Sequence, residues 1–321
     1  PTTKTHRPTP SPTGNYSRFA GKPPNFLIFV IDDILYTTQL NQTSEGAAAG
    51  THLWHDNVTY LHVPMPSISS WLKEGGIVFP RTYCGGPKCS PARFSILTGR
   101  HPSRSQFARK RTMQSSTGYY GTNVTIQTSK LLLNDSVYNI AYQLQNNAKQ
   151  QYYTGMCGKW HLMSHDSDDY RSNCSLLDHR PHPEVYRNCT DIVKRQGFDF
   201  VDAYYHENID DAATFGHNPE WITKVGQQFI DESLAAEKPF FLYMAHTLTH
   251  DPTAYASMFN FSMYETPKSH SLSGINLSDT GMHTREYLWQ KAVDIGYTAK
   301  NRLNFAAMDT WVDDAFGAMI S

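Results

Sequence analysis

The chain has 321 residues and a formal net charge of −1, and 39% of its residues are hydrophobic. This composition supplies enough apolar surface for a large core, which excludes a disordered chain. The balanced charge excludes a general attraction to nucleic acid or to anionic membranes. The longest apolar run, residues 26–31, is far shorter than the ~20 residues of a membrane-spanning helix. We therefore predict a folded protein with no membrane span and no nucleic-acid partner.

The predicted elements alternate in type along the chain. Residues 1–24, rich in Pro, Thr and Ser, predict a tail or linker ahead of one domain over residues 25–321. Strands are predicted at residues 25–31, 77–79, 152–156 and 240–245. Helices are predicted at residues 67–75, 136–144, 219–236 and 297–320. Residues 41–63 are polar and are predicted to form an insertion loop. The alternation is typical of a mostly parallel, doubly wound α/β sheet flanked by helices.

Polar side chains follow three of the predicted strands. Asp32 and Asp33 follow the first, Lys159 and His161 follow another, and His246 and His250 follow the last. Functional groups gather at the carboxyl ends of the strands in such a sheet, so these side chains are expected to line one crevice.

The segment from Cys89 to Arg100 predicts a helix with a nucleophile at its start. Pro91 suits a helix start and Gly99 a helix end, so Cys89 would lie where free N–H groups favour an anion. Arg93 lies one turn further on the same face. The pattern suits attack on a sulfate or phosphate ester; a structural cysteine before an ordinary helix fits these residues equally well.

The motifs together resemble the type I sulfatases, which belong to the alkaline phosphatase-like superfamily. Cys89-x-Pro91-x-Arg93 with residues 97–100 (Leu-Thr-Gly-Arg) resembles the family signature, and residues 158–162 (Gly-Lys-Trp-His-Leu) resemble its second motif. The apolar strand before the Asp-Asp pair and residues 197–199 and 238–243 follow in the family's order. The resemblance implies an alkaline phosphatase-like catalytic domain over residues 25–321, truncated before the family's C-terminal part.

The resemblance also implies a cofactor chemistry. Cys89 would be oxidised to formylglycine by the formylglycine-generating enzyme, and the aldehyde hydrate would attack sulfur. Asp32 and Asp33, with the residue derived from Cys89, would ligate one Ca²⁺ ion. The family's second ligand pair, Asp-Asn, is expected beyond Ser321. The pair at 32–33 should then repel, which would raise one pKa and leave the chain with little activity.

The remaining roles follow from the same resemblance. Arg93 would hold the hydrated aldehyde, Lys159 would bind a sulfate oxygen, and His161 would orient the attacking hydroxyl. His250 would contact the sulfate, with His246 as the alternative. The implied activity is hydrolysis of a sulfate monoester of a carbohydrate or an aryl alcohol; the alternatives are a phosphoester hydrolase of the same superfamily and a non-catalytic relative that binds glycans.

Two features predict the compartment. Nine Asn-x-Ser/Thr sequons occur, where chance predicts roughly three, at Asn15, Asn41, Asn57, Asn123, Asn134, Asn173, Asn188, Asn260 and Asn276. Cys174 and Cys189 bracket a loop rich in His and Pro that a disulfide would close, while the states of Cys84 and Cys157 stay open. Both features favour a glycoprotein of the secretory pathway, extracellular or lysosomal.

Overall fold

Four parallel strands form one sheet in this computed structural model. They are β1 (Phe26–Val30), β2 (Tyr153–Lys159), β3 (Phe200–Tyr205) and β4 (Phe240–Ala245), in the order β1-β4-β2-β3. The structure describes residues 23–34, 63–79, 82–86, 88–105, 139–148, 151–163, 174–209, 213–260, 264–271, 275–297 and 300–321. The predicted tail, except its last two residues, and nearly all of the predicted insertion loop lie outside these ranges.

Helices connect and flank the strands, which confirms the predicted fold class. They are α1 (Pro66–Lys73), α2 (Cys89–Thr98), α3 (Ile140–Asn146), α4 (Pro183–Lys194), α5 (Pro219–Ala235), α6 (Arg285–Asp294) and α7 (Lys300–Ile320). Short 3₁₀ turns span Pro102–Arg104, Cys174–Asp178 and Leu277–Thr280, and a π-helical turn spans Ala256–Asn260. Parallel strands require such crossovers, because each connection must return to the opposite end of the sheet.

Some predicted elements differ in the structure. The strand predicted at residues 77–79 is wrong: the segment has no strand, and Ile77 and Phe79 are each 70% exposed. Ser136, the predicted start of one helix, lies outside the described residues. The described part of that helix begins at Ile140, where the Oδ1 atom of Asn139 accepts a hydrogen bond from the Tyr142 N–H at 3.0 Å.

The core lies between the sheet and its helices. All six residues of β4 are buried, since this strand lies between β1 and β2. The ring of Phe229 from α5 packs so closely on β2 that a side chain at Gly155 would collide with it. A buried ion pair between Glu220 and Arg285 (Oε1 to Nε, 3.0 Å) joins α5 to α6. The indole N–H of Trp311 in α7 donates a hydrogen bond to the same carboxylate at 3.0 Å, so the Glu220 side chain links α5, α6 and α7.

The strand register brings three strand ends to one line. Val30 of β1 is opposite Ala245 of β4, which in turn is opposite Gly158 of β2. Gly158 has φ of 94°, and a Cβ there would collide with the Ala245 carbonyl oxygen. This close approach requires glycine. The polar residues after these strands therefore emerge at the same edge of the sheet.

The predicted disulfide between Cys174 and Cys189 is confirmed, with the two Cα atoms 5.9 Å apart. Cys189 lies in α4, so the disulfide joins a 3₁₀ turn to a helix and does not close an irregular loop. Cys84 is an exposed free thiol, and Cys157 is a buried one whose pKa is raised by burial.

Among the helices that the structure describes, none is long and apolar enough to cross a membrane.

Candidate active site

A buried carboxylate lies at the centre of the site. Asp32, just after β1, forms an ion pair with Arg93 (Oδ1 to Nη2, 3.2 Å) and a second one with the Lys159 ammonium group. Burial by itself would raise the pKa of Asp32, but Arg93 and Lys159 together hold it below its ordinary value. The predicted repulsion between Asp32 and Asp33 with a raised pKa is therefore wrong for Asp32, because two buried cations compensate its charge.

Arg93 fastens α2 to the sheet. Its side chain is almost completely buried, and its Nη1 atom donates to the Lys159 carbonyl oxygen at 2.5 Å. The first helical residue of α2 is Cys89, and the helix ends at Gly99 in the left-handed conformation, with φ of 64°. The predicted helix is thus confirmed, with its start two residues before Pro91.

Cys89 contacts a neutral histidine. Its Sγ atom, half-buried, lies 3.2 Å from the Nδ1 atom of His161. Burial, with the positive charges of Lys159 and Arg93, lowers the pKa of His161 to about 2. The imidazole is therefore uncharged at any physiological pH, and one ring nitrogen is free to accept a hydrogen bond from a group at position 89.

The loop after β4 places His250, rather than His246, beside the carboxylates. The Nε2 atom of His250 lies 3.9 Å from Oδ2 of Asp33, whose own side chain is 70% exposed. His246 is fully buried and packs against Phe29, with the ring centroids 4.7 Å apart and the ring planes tilted by 36°. Burial lowers the pKa of His246 to about 3, as expected for a core histidine. Of the two alternatives, the geometry favours His250.

Two backbone features shape these loops. Asp33 and His161 both adopt the left-handed region, with φ of 60° and 55°. Such conformations are rare for residues other than glycine and cluster at functional sites. Asp32 is fixed by its N–H, which donates to the Leu248 carbonyl oxygen at 2.7 Å, and by its own carbonyl oxygen, which accepts from Thr249.

The sequence did not point to two residues that support the site. Asn208, after β3, accepts a hydrogen bond from the Lys159 ammonium group through Oδ1. His217 is buried, with Nδ1 2.6 Å from the Thr247 hydroxyl and Nε2 2.9 Å from the His250 carbonyl oxygen. Neither lies in a recognisable motif, and a lone Asn or His in a loop carries no signal without the fold.

The donor set at residues 32–33 suits a hard cation in part. Asp32 and Asp33 offer carboxylate oxygens, the ligands that Ca²⁺ prefers, but Ca²⁺ takes six to eight oxygens. Both oxygens of Asp32 already contact cations, so a metal would share them with Arg93 and Lys159. The two carboxylates fit as one side of a Ca²⁺ site that further oxygen ligands must complete.

The arrangement combines a nucleophile position with anion-binding groups. Cys89 lies at a helix N-terminus, next to a neutral acceptor, and the cations Arg93 and Lys159 lie in the same buried cluster. Backbone N–H groups at a helix start and buried cations both stabilise oxyanions. Chemically, such a set of groups can hold an anion next to the side chain at position 89.

Several known proteins that are similar to this chain are named as sulfatases. N-acetylgalactosamine-6-sulfatase of Canis lupus familiaris is 29% identical over 264 residues, covering 74% of this chain and 42% of that protein. The Homo sapiens protein of the same name is 28% identical over 266 residues, covering 74% and 41%. An uncharacterized sulfatase of Escherichia coli (strain K12), YidJ, is 24% identical over 325 residues, covering 94% and 54%.

The chain spans less than half the length of those two animal relatives. Among solved structures, the crystal structure of Ps i-CgsB aligns with 92% of this chain and 54% of that chain, at a TM-score of 0.48 and 20% identity. A family model described as Sulfatase matches residues 24–320, which is nearly the whole chain. On this match, together with the ordered motifs around Cys89, Lys159 and His161, the chain belongs to the sulfatase family.

Proposed function

We propose that this chain forms the nucleophile-bearing part of a sulfuric ester hydrolase that cleaves sulfate monoesters. The observation that carries the proposal is the contact between Cys89 at the start of α2 and the neutral His161, beside Arg93 and Lys159. Family membership supports sulfate ester hydrolysis as the reaction. Each of these four residues then has a distinct part in it.

The proposed nucleophile is formylglycine made from Cys89, which would supply an aldehyde hydrate able to attack sulfur and later expel sulfate. In this proposal His161 accepts a hydrogen bond from a hydroxyl at position 89 and so orients it. Lys159 and Arg93 stabilise the negative charge on the group being transferred. Asp32 and Asp33 hold one side of a Ca²⁺ ion, and His250 contacts the sulfate from the loop after β4.

The buried side chains by themselves carry one excess positive charge. Arg93 and Lys159 contribute two positive charges and Asp32 one negative charge, all from side chains that are nearly inaccessible to solvent. With the proposed Ca²⁺ ion and Asp33 included, the site has a larger positive charge, which attracts sulfate and phosphate esters alike. A comparison of the turnover of the two esters therefore separates the sulfatase from the phosphoester alternative.

The substrate and the compartment are proposed on separate grounds. The similarity to N-acetylgalactosamine-6-sulfatases supports a sulfated carbohydrate as substrate. The sequon residues Asn188, Asn260 and Asn276 are exposed, which supports glycosylation in the secretory pathway, in an extracellular or lysosomal protein. The same route would bring Cys89 to the formylglycine-generating enzyme.

Peptide mass spectrometry of protein secreted from eukaryotic cells tests the nucleophile. We expect an aldehyde at position 89, and only unmodified cysteine there would refute formylglycine. In protein expressed from the complete gene, Cys89→Ala should abolish turnover of 4-nitrophenyl sulfate. The matched control is Cys84→Ala, which removes an exposed free thiol and should leave turnover unchanged. Faster turnover of 4-nitrophenyl phosphate would favour the phosphoester alternative, and a folded protein without either activity would favour the non-catalytic one.

A further inference from the structure

A second group of potential ligands lies beside the active site and shares no residue with it. Asp178 ends the 3₁₀ turn Cys174–Asp178, and His206 and Glu207 directly follow β3. One ligand atom from each, a ring nitrogen and two carboxylate oxygens, lies within 4.8 Å of the others. His206 is buried and the two carboxylates are half-buried, so the group, here called the Asp178 cluster, is largely shielded from water.

We propose that the Asp178 cluster binds a divalent transition-metal ion, with Zn²⁺ the best match. Imidazole with two carboxylates is a donor set typical of Zn²⁺, whereas Ca²⁺ and Mg²⁺ prefer oxygen ligands alone. Ligand atoms about 2.1 Å from a tetrahedral Zn²⁺ lie about 3.4 Å apart. The observed distance from His206 Nε2 to Glu207 Oε1 is 3.5 Å, which already matches one edge of such a site.

The imidazole has the outer partner that a metal-binding histidine needs. The Nδ1 atom of His206 lies 2.9 Å from the hydroxyl group of Tyr204, a contact that fixes the ring orientation. A histidine that ligates a metal through one nitrogen is commonly oriented by a hydrogen bond at the other.

The supporting backbone is anchored on both sides of the cluster. The turn that carries Asp178 begins at Cys174, which the disulfide to Cys189 fastens to α4. His206 and Glu207 continue a strand that is paired with β2 through Tyr205 opposite Lys159. A site held on such elements needs little rearrangement when the ion binds.

Metal binding here would also stabilise the catalytic segment. The His206 carbonyl oxygen accepts a hydrogen bond from the His161 N–H at 3.0 Å. Two residues later, Asn208 accepts a hydrogen bond from the Lys159 ammonium group. An ion at His206 and Glu207 would therefore hold in place the segment that positions both catalytic side chains, without itself contacting the substrate.

Calorimetric titration of the 321-residue chain with Zn²⁺ alone tests the site. His206→Gln and Glu207→Gln should each bind one ion fewer than the unchanged chain, and Tyr204→Phe should weaken that ion's binding about 10-fold. The matched control is Glu265→Gln, at an exposed pair in which Glu265 Oε1 lies 3.1 Å from His270 Nδ1. This variant should keep both the stoichiometry and the affinity.

Circular dichroism establishes that each variant is folded before titration. Crystals of the unchanged chain soaked in Zn²⁺ give a readout that needs no variant: an anomalous peak between Asp178, His206 and Glu207 is expected. The absence of that peak, or equal Zn²⁺ stoichiometry in folded His206→Gln, Glu207→Gln and unchanged chains, would overturn the proposal and leave an ordinary His–Glu ion pair.

Discussion

The substitution Asp309→Asn should remove a pH dependence of stability that is built into α7. Asp309 is 4% exposed. Burial raises its pKa from 3.8 to about 7. A carboxyl with a raised pKa in the folded state favours folding while it is protonated, and stability is lost as the pH rises through the interval between the two values.

The magnitude follows from the two pKa values. Each pKa unit corresponds to ~1.4 kcal/mol, so full ionisation of Asp309 lowers the free energy of unfolding by about 4 kcal/mol. Most of that loss falls between pH 4 and pH 7. Between pH 5 and pH 8 we expect the unchanged chain to lose about 2.5 kcal/mol relative to Asp309→Asn, which retains the shape of the side chain but cannot ionise.

Urea denaturation of both chains at several pH values measures this difference. The matched control is Asp231→Asn, which removes an exposed aspartate from α5 and should leave the pH profile of the unchanged chain intact. Other titrating groups are common to all three chains and cancel in the comparison. Parallel profiles for the unchanged chain and Asp309→Asn would show that the carboxyl is solvated or paired, and the reasoning would be wrong.

Three further predictions concern stability. Asp32→Asn leaves two buried cations without their carboxylate partner and should lower the free energy of unfolding, measured by urea denaturation, by about 3–5 kcal/mol. The exposed control Asp33→Asn should change it by less than about 0.5 kcal/mol. Equal effects of the two substitutions would contradict the buried ion pairs of Asp32. Asp313→Ala removes the carboxylate that accepts two backbone N–H groups at the start of α1, at 3.0 and 2.9 Å, and should cost about 1–2 kcal/mol; an unchanged melting temperature would refute this cap. Replacing Cys174 and Cys189 by serine should cost about 3 kcal/mol, and an unchanged denaturation midpoint would show that the bridge adds no stability.

Features with a local signature could be predicted from the sequence. The apolar runs of β1 and β4 and the helix from Cys89 to the glycine stop follow from patterns of fewer than a dozen residues. The convergence of polar residues at the strand ends follows once these strands are assigned to one parallel sheet. The sequence also predicts the disulfide, because Cys174 and Cys189 bracket one segment rich in His and Pro. In each case the local pattern and the tertiary structure favour the same conformation.

Features that depend on distant partners could not be predicted. β3 contains Asp202, which breaks the apolar pattern of a buried strand; the structure compensates it with the Tyr186 hydroxyl at 2.5 Å and the Lys268 ammonium group at 2.8 Å. Because β3 is not predicted from the sequence, the positions of Asn208 and the Asp178 cluster beside the site cannot be predicted either. The segment 77–79 is the opposite case. Its apolar residues suggest a strand, but none of the strands that the structure describes pairs with it.

The geometry of the proposed active site depends on strand register as much as on residue identity. Asp32 follows β1, Lys159 ends β2, and both are aligned through β4, which lies between the two strands. A slip of one residue in β2 would reverse which face Lys159 occupies and remove one of the two cations from Asp32. A buried carboxylate that loses a partner costs several kcal/mol, so the charge cluster itself disfavours the slipped register. The groups proposed to bind sulfate thus also help to select the pairing that brings them together.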